Sequence, residues 1–184
     1  MTEILDIIKS RRSVRKYSPD QINQLELDKI LEAGVFAPSA HNQQPWHFTV
    51  IQNPELLESI NLIVREAMAK SDVEWVRKTG SNPGFKVTYD APTLVIVSGR
   101  KDGIASITDC SAAIQNMLIA AESMGIGSVW LGLMRFLFDK PEEVAKLHIP
   151  ENYQPYYGVS FGYRVEGHVQ PVPKRNFNVV NYIR

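Results

Sequence analysis

The first pattern along the chain is helical. Between residues 24 and 35, apolar or small positions recur at i, i+3, i+4 and i+7, which predicts one buried face of a helix. These positions are Leu27, Ile30, Leu31 and Gly34. Upstream, Ile4, Leu5 and Ile8 predict a shorter helix, which Thr2 can cap. This helix is predicted to run into a group of basic residues and to end at the segment YSPDQI.

Two longer helices are predicted further along. Asn53 followed by Pro54 is typical of an N-cap with proline at the first helical position. The helix after it places Leu56, Ile60, Ile63, Val64 and Ala67 on one face. Thr108 is predicted to cap the other helix, which ends at Met124 with Gly125 as its stop. Four alanines keep this helix slim, as expected for tight packing: Ala112, Ala113, Ala120 and Ala121.

Apolar runs of strand length predict four strands. They are WHFTVIQ at 46–52, TLVIVSG at 93–99, SVWLG at 128–132 and YYGVSFGY at 156–163. The uninterrupted run at 93–99 is typical of a central strand that is covered on both faces. Pro141 is predicted to begin a short helix. Because strands and helices alternate irregularly, we predict a single α+β domain over residues 1–184.

Two segments interrupt this pattern. Pro38 and Pro45 bracket a stretch that can be neither a regular helix nor a central strand. Residues 70–91 lose all periodicity and contain TGSNPG, so we predict a long mobile loop there and regard it as a candidate lid.

Composition excludes several classes of function. The 20 Lys and Arg residues offset 20 Asp and Glu residues, which argues against a general surface for nucleic acid or for an anionic membrane. No apolar run reaches the roughly 20 residues that a membrane-spanning helix needs. The opening MTEILDIIKS lacks the basic-then-apolar pattern of a signal peptide. We therefore expect a cytoplasmic protein.

The residue types that usually carry catalysis are scattered. Cys110 is the single cysteine, which excludes an internal disulfide framework and a cysteine-rich metal site. Its position beside Asp109 near a helix start can lower a thiol pKa, but a small buried thiol is the commoner case. The histidines show no paired metal-ligand spacing: His41, His47, His148 and His168. We predict no metal ion and no catalytic side chain.

Positive charge is concentrated in one place. The segment RRSVRKY at 11–17 holds three arginines and a lysine around Ser13. Arginine donates planar bidentate hydrogen bonds that suit phosphate, and a second basic pair at 174–175 can complete such a site. The alternative is a solvated group of cations at the end of a helix, which the macrodipole favours. Phosphate-binding chemistry without a nucleophile, a metal or a general base indicates a binding protein or an enzyme whose cofactor supplies the chemistry.

The glycines of GIGSVWLG at 125–132 do not form a dinucleotide fingerprint. Trp130 stands where the third glycine would be needed, and the segment follows a helix instead of joining a strand to one. Gly125 is explained as a helix stop. Gly132 lies at the end of a predicted strand, where it can let backbone N–H groups approach a ligand closely.

Four segments taken in order resemble one family. RRSVRKY, APSAHNQQPW at 37–46, GIGSVWLG and the basic C-terminal segment resemble the FMN-dependent nitroreductase family in order and spacing, from about residue 5 to 180. The resemblance implies an intertwined α+β homodimer whose mixed, mainly antiparallel sheet is flanked by helices, with two FMN sites at the interface.

The resemblance also implies roles for individual residues. Arg11, Arg12 and Ser13 would hold the FMN phosphate and ribityl chain, and Arg15 would reach towards the N1–O2 edge of the ring. Pro38, Ser39, Ala40 and Asn42 would line the same flavin from the partner subunit, with Gln44 close by. Trp130, Leu131 and Gly132 would pass beside the ring, with a backbone N–H facing N5. Lys174 and Arg175 would contact the phosphate.

The implied activity is a ping-pong, two-electron transfer from NADH or NADPH to an electron-poor acceptor such as a nitroaromatic or a quinone. Two alternatives stay open. One is a specialised branch that dehalogenates its substrate or breaks down flavin with oxygen, and the other is a flavin-binding carrier or sensor without turnover. The loop at 70–91 is expected to set acceptor specificity through Trp75, Phe85 and Tyr89. The apolar tail, residues 179–183, is predicted to pair across the dimer by strand addition.

Overall fold

A four-stranded antiparallel sheet forms the centre of the protein. The computed structural model describes residues 3–168 and 170–184. The strands are β1 (Trp46–Ile51), β2 (Thr93–Arg100), β3 (Ile126–Leu131) and β4 (Tyr153–Tyr163). They lie in the order β1-β2-β4-β3, and each neighbouring pair is antiparallel. The interior position of β2 explains why its apolar run is uninterrupted, as predicted.

Helices cover both faces of this sheet. Within the described residues they are α1 (Ile4–Ser10), α2 (Gln24–Val35), α3 (Pro54–Ala69), α4 (Glu74–Gly80), α5 (Ser106–Ser123), α6 (Arg135–Phe138) and α7 (Pro141–Ala145). Short 3-10 turns occupy Ala40–Asn42 and Gly132–Met134. Helix α2 spans the predicted residues because the side chain of Asn23 and that of Glu26 form a reciprocal capping box at its start.

Two apolar cores lie on opposite faces of the sheet. Successive residues of β2 point to opposite sides, so Leu94 and Ile96 join a core with α3, α4 and α6. Val95 and Val97 join the other core, with α2 and α5. This arrangement of helices on both faces of an antiparallel sheet confirms the predicted α+β class.

The long helices differ from their predicted forms in two ways. Helix α5 begins at Ser106 after Ala105, so the prediction of Thr108 as its cap is wrong. Helix α3 starts as predicted, with the Asn53 side chain accepting a hydrogen bond from the backbone of Leu56. Its buried face consists of Leu57, Ile60, Asn61, Val64 and Met68. The predicted face is rotated about the helix axis relative to this observed face, because the prediction counted only apolar residues and omitted Asn61. The Oδ1 of Asn61 is buried and accepts hydrogen bonds from Thr88.

Residues 70–91 are not a loop throughout. They contain α4 and bury Val76, Val87, Thr88 and Ala91. A Cβ at Gly80 would lie 2.4 Å from the backbone nitrogen of Ala69, so α4 packs directly on the end of α3. The hydrophobic pattern did not predict α4, because a seven-residue helix with one large buried side chain shows no detectable period. The mobility of this segment stays a prediction.

The basic segment is extended and not helical. Helix α1 ends at Ser10, and Arg11 has φ −52° and ψ 131°. The predicted end of this helix at YSPDQI is therefore wrong, because the helix stops before the basic segment. Arg11 is the C-cap of α1, and Arg12 Nη1 donates to the carbonyl of Lys9 at 2.6 Å, so these two arginines do lie at a helix end, as the alternative predicted. The apolar residues Ile4, Leu5 and Ile8 of α1 are exposed within this chain. Thr2, the predicted cap, lies outside the described residues.

The remaining strands and turns match the sequence with small shifts. Strand β3 starts two residues before the predicted segment and ends at Leu131. Strand β4 starts three residues early, at Tyr153, and α7 begins at Pro141 as predicted. The turn and helix over residues 132–138 were not predicted.

Along residues 3–168 and 170–184, no helix has both the length and the apolar character to cross a bilayer. The cytoplasmic location stays a prediction.

Candidate functional site

The basic segment is held against the edge of the sheet by its backbone. The N–H of Val14 donates to the carbonyl of Ser128 at 2.9 Å, and that of Ser18 donates to the carbonyl of Tyr163 at 2.9 Å. Val14 is buried, and a Cβ at Gly127 would lie 2.9 Å from its Cγ1. Val14 therefore fixes the basic segment on β3, and the arginines on either side of Val14 remain at the surface.

These arginines line a cavity of about 310 Å³, called here the arginine cavity. Its walls are Arg11, Arg12, Ser13, Arg15, Gln170, Pro171, Pro173 and Arg175. Four arginines from the basic segment and from the tail thus line this cavity, and no Asp or Glu is among its walls. A cavity with this lining is suited to a multiply charged anion such as a phosphate monoester.

The charge of Arg11 is only partly compensated by the protein. Burial lowers the pKa of its guanidinium, the carboxylate of Glu122 opposes that shift, and Arg175 and Arg12 add to it. Glu122 is itself engaged, since Oε1 accepts a hydrogen bond from Ser10 at 2.9 Å and Oε2 pairs with Arg164. An anion in the arginine cavity would supply the missing negative charge.

A second cavity of about 380 Å³ adjoins the first and is called here the aromatic cavity. Its walls are Arg15, Trp75, Val87, Tyr89, Val129, Trp130, Leu131, Gly132, Leu133 and Arg135. Arg15 belongs to both cavities, and its guanidinium carbon lies 5.6 Å from the centre of the Tyr89 ring. A Cβ added at Gly132 would meet nothing within 4 Å, so the backbone there is open to a ligand.

The segment between Pro38 and Pro45, called here the proline loop, lies apart from both cavities. Three of its residues have positive φ: His41, Asn42 and Gln44. Its conformation is fixed by a hydrogen bond from the backbone of Gln44 to the hydroxyl of Ser39 at 3.0 Å. The carboxylate of Asp109 on α5 accepts from the N–H of Ala40 at 3.2 and 3.3 Å.

The structure therefore brings most of the predicted residues together, but not all. Arg11, Arg12, Ser13, Arg15 and Arg175 share the arginine cavity, and Trp130, Leu131 and Gly132 share the aromatic cavity with Arg15. Lys174 is exposed and is not among the walls of the arginine cavity. Pro38, Ser39, Ala40, Asn42 and Gln44 line neither cavity of their own chain. A role for them at a partner's site stays a prediction.

Cys110 has the properties of a structural residue. Its side chain is fully buried and its thiol donates to the carbonyl of Ser98 at 3.5 Å. Burial, with a smaller effect of Asp109, raises the pKa of the thiol to about 12. A thiol that stays protonated at neutral pH is not a nucleophile. Among the described residues no group of three His, Cys, Asp or Glu side chains could hold a metal ion.

Sequence reasoning missed several residues that the structure places at or beneath the site. Arg135 and Leu133 are walls of the aromatic cavity, but they lie in the turn and helix that the sequence did not predict. Asp109 fixes the proline loop from 69 residues away in sequence. No local signal could have paired it with Ala40. Trp75 and Tyr89, which the sequence suggested only as aromatic residues of the loop, are walls of the same cavity.

Comparison with known proteins gives consistent matches. A model of the nitroreductase family matches residues 8–163. A protein of Methanothermobacter thermautotrophicus, named for NADH dehydrogenase or NAD(P)H nitroreductase activity, is 36% identical over 89% of this chain and 78% of its own length. A protein of Archaeoglobus fulgidus with the same name is 36% identical over 89% of this chain and 86% of its own length.

Solved structures agree with these sequence matches. The crystal structure of a nitroreductase with bound FMN from Bacteroides fragilis superposes with a TM-score of 0.91. It is 38% identical and covers 100% of both chains.

Proposed function

The chain belongs to the nitroreductase family, and on that premise we propose that it binds FMN and transfers two electrons from NADH or NADPH to a nitroaromatic or quinone acceptor. With a nitro compound the balance is NAD(P)H + H⁺ + R–NO₂ giving NAD(P)⁺ + R–NO + H₂O. With a quinone, the same donor and proton give the quinol. The donor would leave before the acceptor binds, which is a ping-pong sequence.

One observation carries the proposal: Arg15 lines both the arginine cavity and the aromatic cavity. A ligand that fills both must carry an anionic group at one end and a flat apolar ring at the other. FMN has this form, with a phosphate and an isoalloxazine ring joined by a ribityl chain. Its phosphate would be held by Arg11, Arg12, Ser13 and Arg175, and its ring would lie beside Trp130, Leu131 and Gly132.

The residues of the site are suited to binding and orienting such a cofactor. Bound FMN would supply the chemistry, accepting a hydride from the nicotinamide and passing the electrons to the acceptor. Arg15 would place a positive charge beside the ring, where it favours negative charge that develops during reduction. No Asp, Glu, His or Cys is among the described walls that one chain gives to either cavity.

We also propose a homodimer in which the proline loop reaches the partner's site. The apolar side chains of α1 are exposed, with Ile4 at 67%. Phe36, next to the proline loop, is 78% exposed. The tail exposes Phe177, Val179, Val180, Tyr182 and Ile183. A second copy that covers these side chains would remove apolar surface from water.

The deciding experiment is an absorbance spectrum followed by anaerobic titration with NADH and then NADPH. We expect flavin bands that bleach on addition of one two-electron equivalent of donor. Turnover with a nitroaromatic then separates an oxidoreductase from a flavin carrier. A colourless protein that also fails to take up added FMN would contradict the proposal. Flavin that neither nicotinamide reduces would favour the carrier.

A further inference from the structure

Arg135 projects from a rigid turn at the edge of the aromatic cavity. It is the first residue of α6 and follows the 3-10 turn Gly132–Met134. Its neighbours Met134 and Leu137 are buried, and a Cβ at Gly158 would lie 2.7 Å from the Met134 Cγ. The backbone of Arg135 is therefore wedged against β4, while its own side chain is exposed.

The guanidinium of Arg135 has no acidic partner in the described part of the chain. No carboxylate there comes within 4.0 Å of it, and its central carbon lies 4.8 Å from the Phe136 ring. The side chain is nevertheless a wall of the aromatic cavity. That cavity thus carries two positive charges, from Arg15 and Arg135, and its walls contain no carboxylate.

The two arginines have different positions. Arg15 also lines the arginine cavity, so the proposed cofactor would engage it. Arg135 lines only the aromatic cavity, where Trp75 and Tyr89 provide flat surfaces for a ring. The guanidinium of Arg135 lies over the Phe136 ring and has no carboxylate partner in the described residues, so its N–H groups can donate two parallel hydrogen bonds to a carboxylate on a bound ring.

We propose that Arg135 is a specificity-determining residue that selects anionic aromatic acceptors, such as nitrobenzoates or carboxylated quinones, over neutral ones. This inference rests on the proposed function, since it names the class of acceptor for the same site. The phosphates of a nicotinamide dinucleotide carry the same kind of negative charge, so the donor is tested in a separate arm of the experiment.

The kinetic test compares 4-nitrobenzoate with the neutral 4-nitrobenzamide in the FMN-loaded protein. The variants are Arg135→Gln, Arg135→Lys and the control Lys78→Gln, which removes an exposed positive charge from α4 that does not line the cavity. We expect Arg135→Gln to lower the ratio of kcat/KM for benzoate over benzamide about tenfold, as for one partly exposed charge-assisted hydrogen bond. Arg135→Lys should retain part of the ratio, and Lys78→Gln all of it.

Three results would overturn the proposal. One is an unchanged ratio in Arg135→Gln. Another is an equal fall in Lys78→Gln, which would indicate a general effect of net charge. The third is a fall in kcat/KM for NADH or NADPH while the acceptor ratio stays constant, which would assign Arg135 to the donor.

A binding measurement needs no turnover and separates the two proposals. Calorimetric titration of the purified protein with benzoate and with benzamide should show tighter binding of benzoate, lost in Arg135→Gln. If the protein oxidises no nicotinamide but keeps this preference, the proposed function fails and the anion site stands. If turnover is normal but benzoate and benzamide bind equally, the proposed function stands and the role of Arg135 is wrong.

Discussion

The carboxylate of Asp109 accepts the backbone N–H of Ala40 through both oxygens, at 3.2 and 3.3 Å. Asp109 lies in the first turn of α5, and only 5% of it is accessible. A buried charge in this position fixes the proline loop to a core helix. The loop can therefore hold its positive-φ residues in one conformation although its only regular structure is the 3-10 turn Ala40–Asn42.

We expect Asp109→Ala to destabilise the protein and loosen the proline loop. The part-buried N–H of Ala40 would lose its partner, at a cost of about 1–3 kcal/mol in the free energy of unfolding. Asp109→Asn keeps one acceptor oxygen and should cost less. Urea unfolding of the two variants measures the difference. Equal stability of Asp109→Ala and the parent would show that the hydrogen bond contributes nothing.

Arg11→Gln should weaken FMN binding through the phosphate. Loss of one charge-assisted hydrogen bond predicts a roughly ten- to hundredfold higher Kd. Riboflavin lacks the phosphate, so its affinity should not change. Fluorescence titration with both flavins measures the effect, and Lys9→Gln, two residues earlier and outside the arginine cavity, is the control. An equal loss for FMN and riboflavin would contradict a phosphate role.

Two glycines provide a matched test of the space beside the proposed ring. Gly132→Ala adds a Cβ into open space, so the unfolding free energy of the cofactor-free protein should change by less than about 0.5 kcal/mol. Its FMN affinity should fall, because the methyl group would occupy ligand space. Gly158→Ala forces a contact with buried Met134 and should cost about 1–3 kcal/mol. Undiminished FMN binding by Gly132→Ala would place the ring elsewhere.

Cys110 should make stability fall at alkaline pH. Its folded pKa is raised to about 12 from an ordinary value of 9.0, so the thiol ionises first in the unfolded chain. Its contribution is fully present below about pH 9 and is lost as the pH rises towards 12. Unfolding of the parent and of Cys110→Ala across this range isolates the effect from that of other groups. Parallel pH profiles for the two proteins would contradict it. The native thiol should also resist alkylation at pH 8.

Truncation after residue 176 should weaken the proposed dimer. It removes exposed apolar side chains that include Phe177, at 87%, and Ile183, at 94%. Sedimentation velocity at several concentrations should show a larger monomer fraction than in the full chain. A tail shortened only by Arg184→stop keeps these side chains and is the control. A truncated protein that stays fully dimeric would assign the interface to other surfaces.

The local signals in the sequence predicted much of this protein. The period of α2 placed that helix at its observed residues, and the apolar run of β2 identified an interior strand. The concentration of arginine at 11–15 identified residues that line the arginine cavity. These features are local because periodicity and charge density act over one or two turns of chain.

Other features depended on the tertiary structure. Asn61 lies on the buried face of α3 only because Thr88 comes to it from 27 residues away. The basic segment is extended because the edge of β3 offers the carbonyl of Ser128 to Val14. Neither partner is visible from the residues nearby in sequence.

The sequence by itself determined the fold class, the family and the arginine-rich end of the site, since these follow from short-range pattern and composition. Only the tertiary structure decided that Arg15 lines both cavities, that Asp109 holds the proline loop and that Arg135 lines the aromatic cavity. The physical reason is that a cavity and a long-range hydrogen bond are made by segments far apart in the chain. Their meeting is fixed by the packing of both cores around the sheet and not by any local preference.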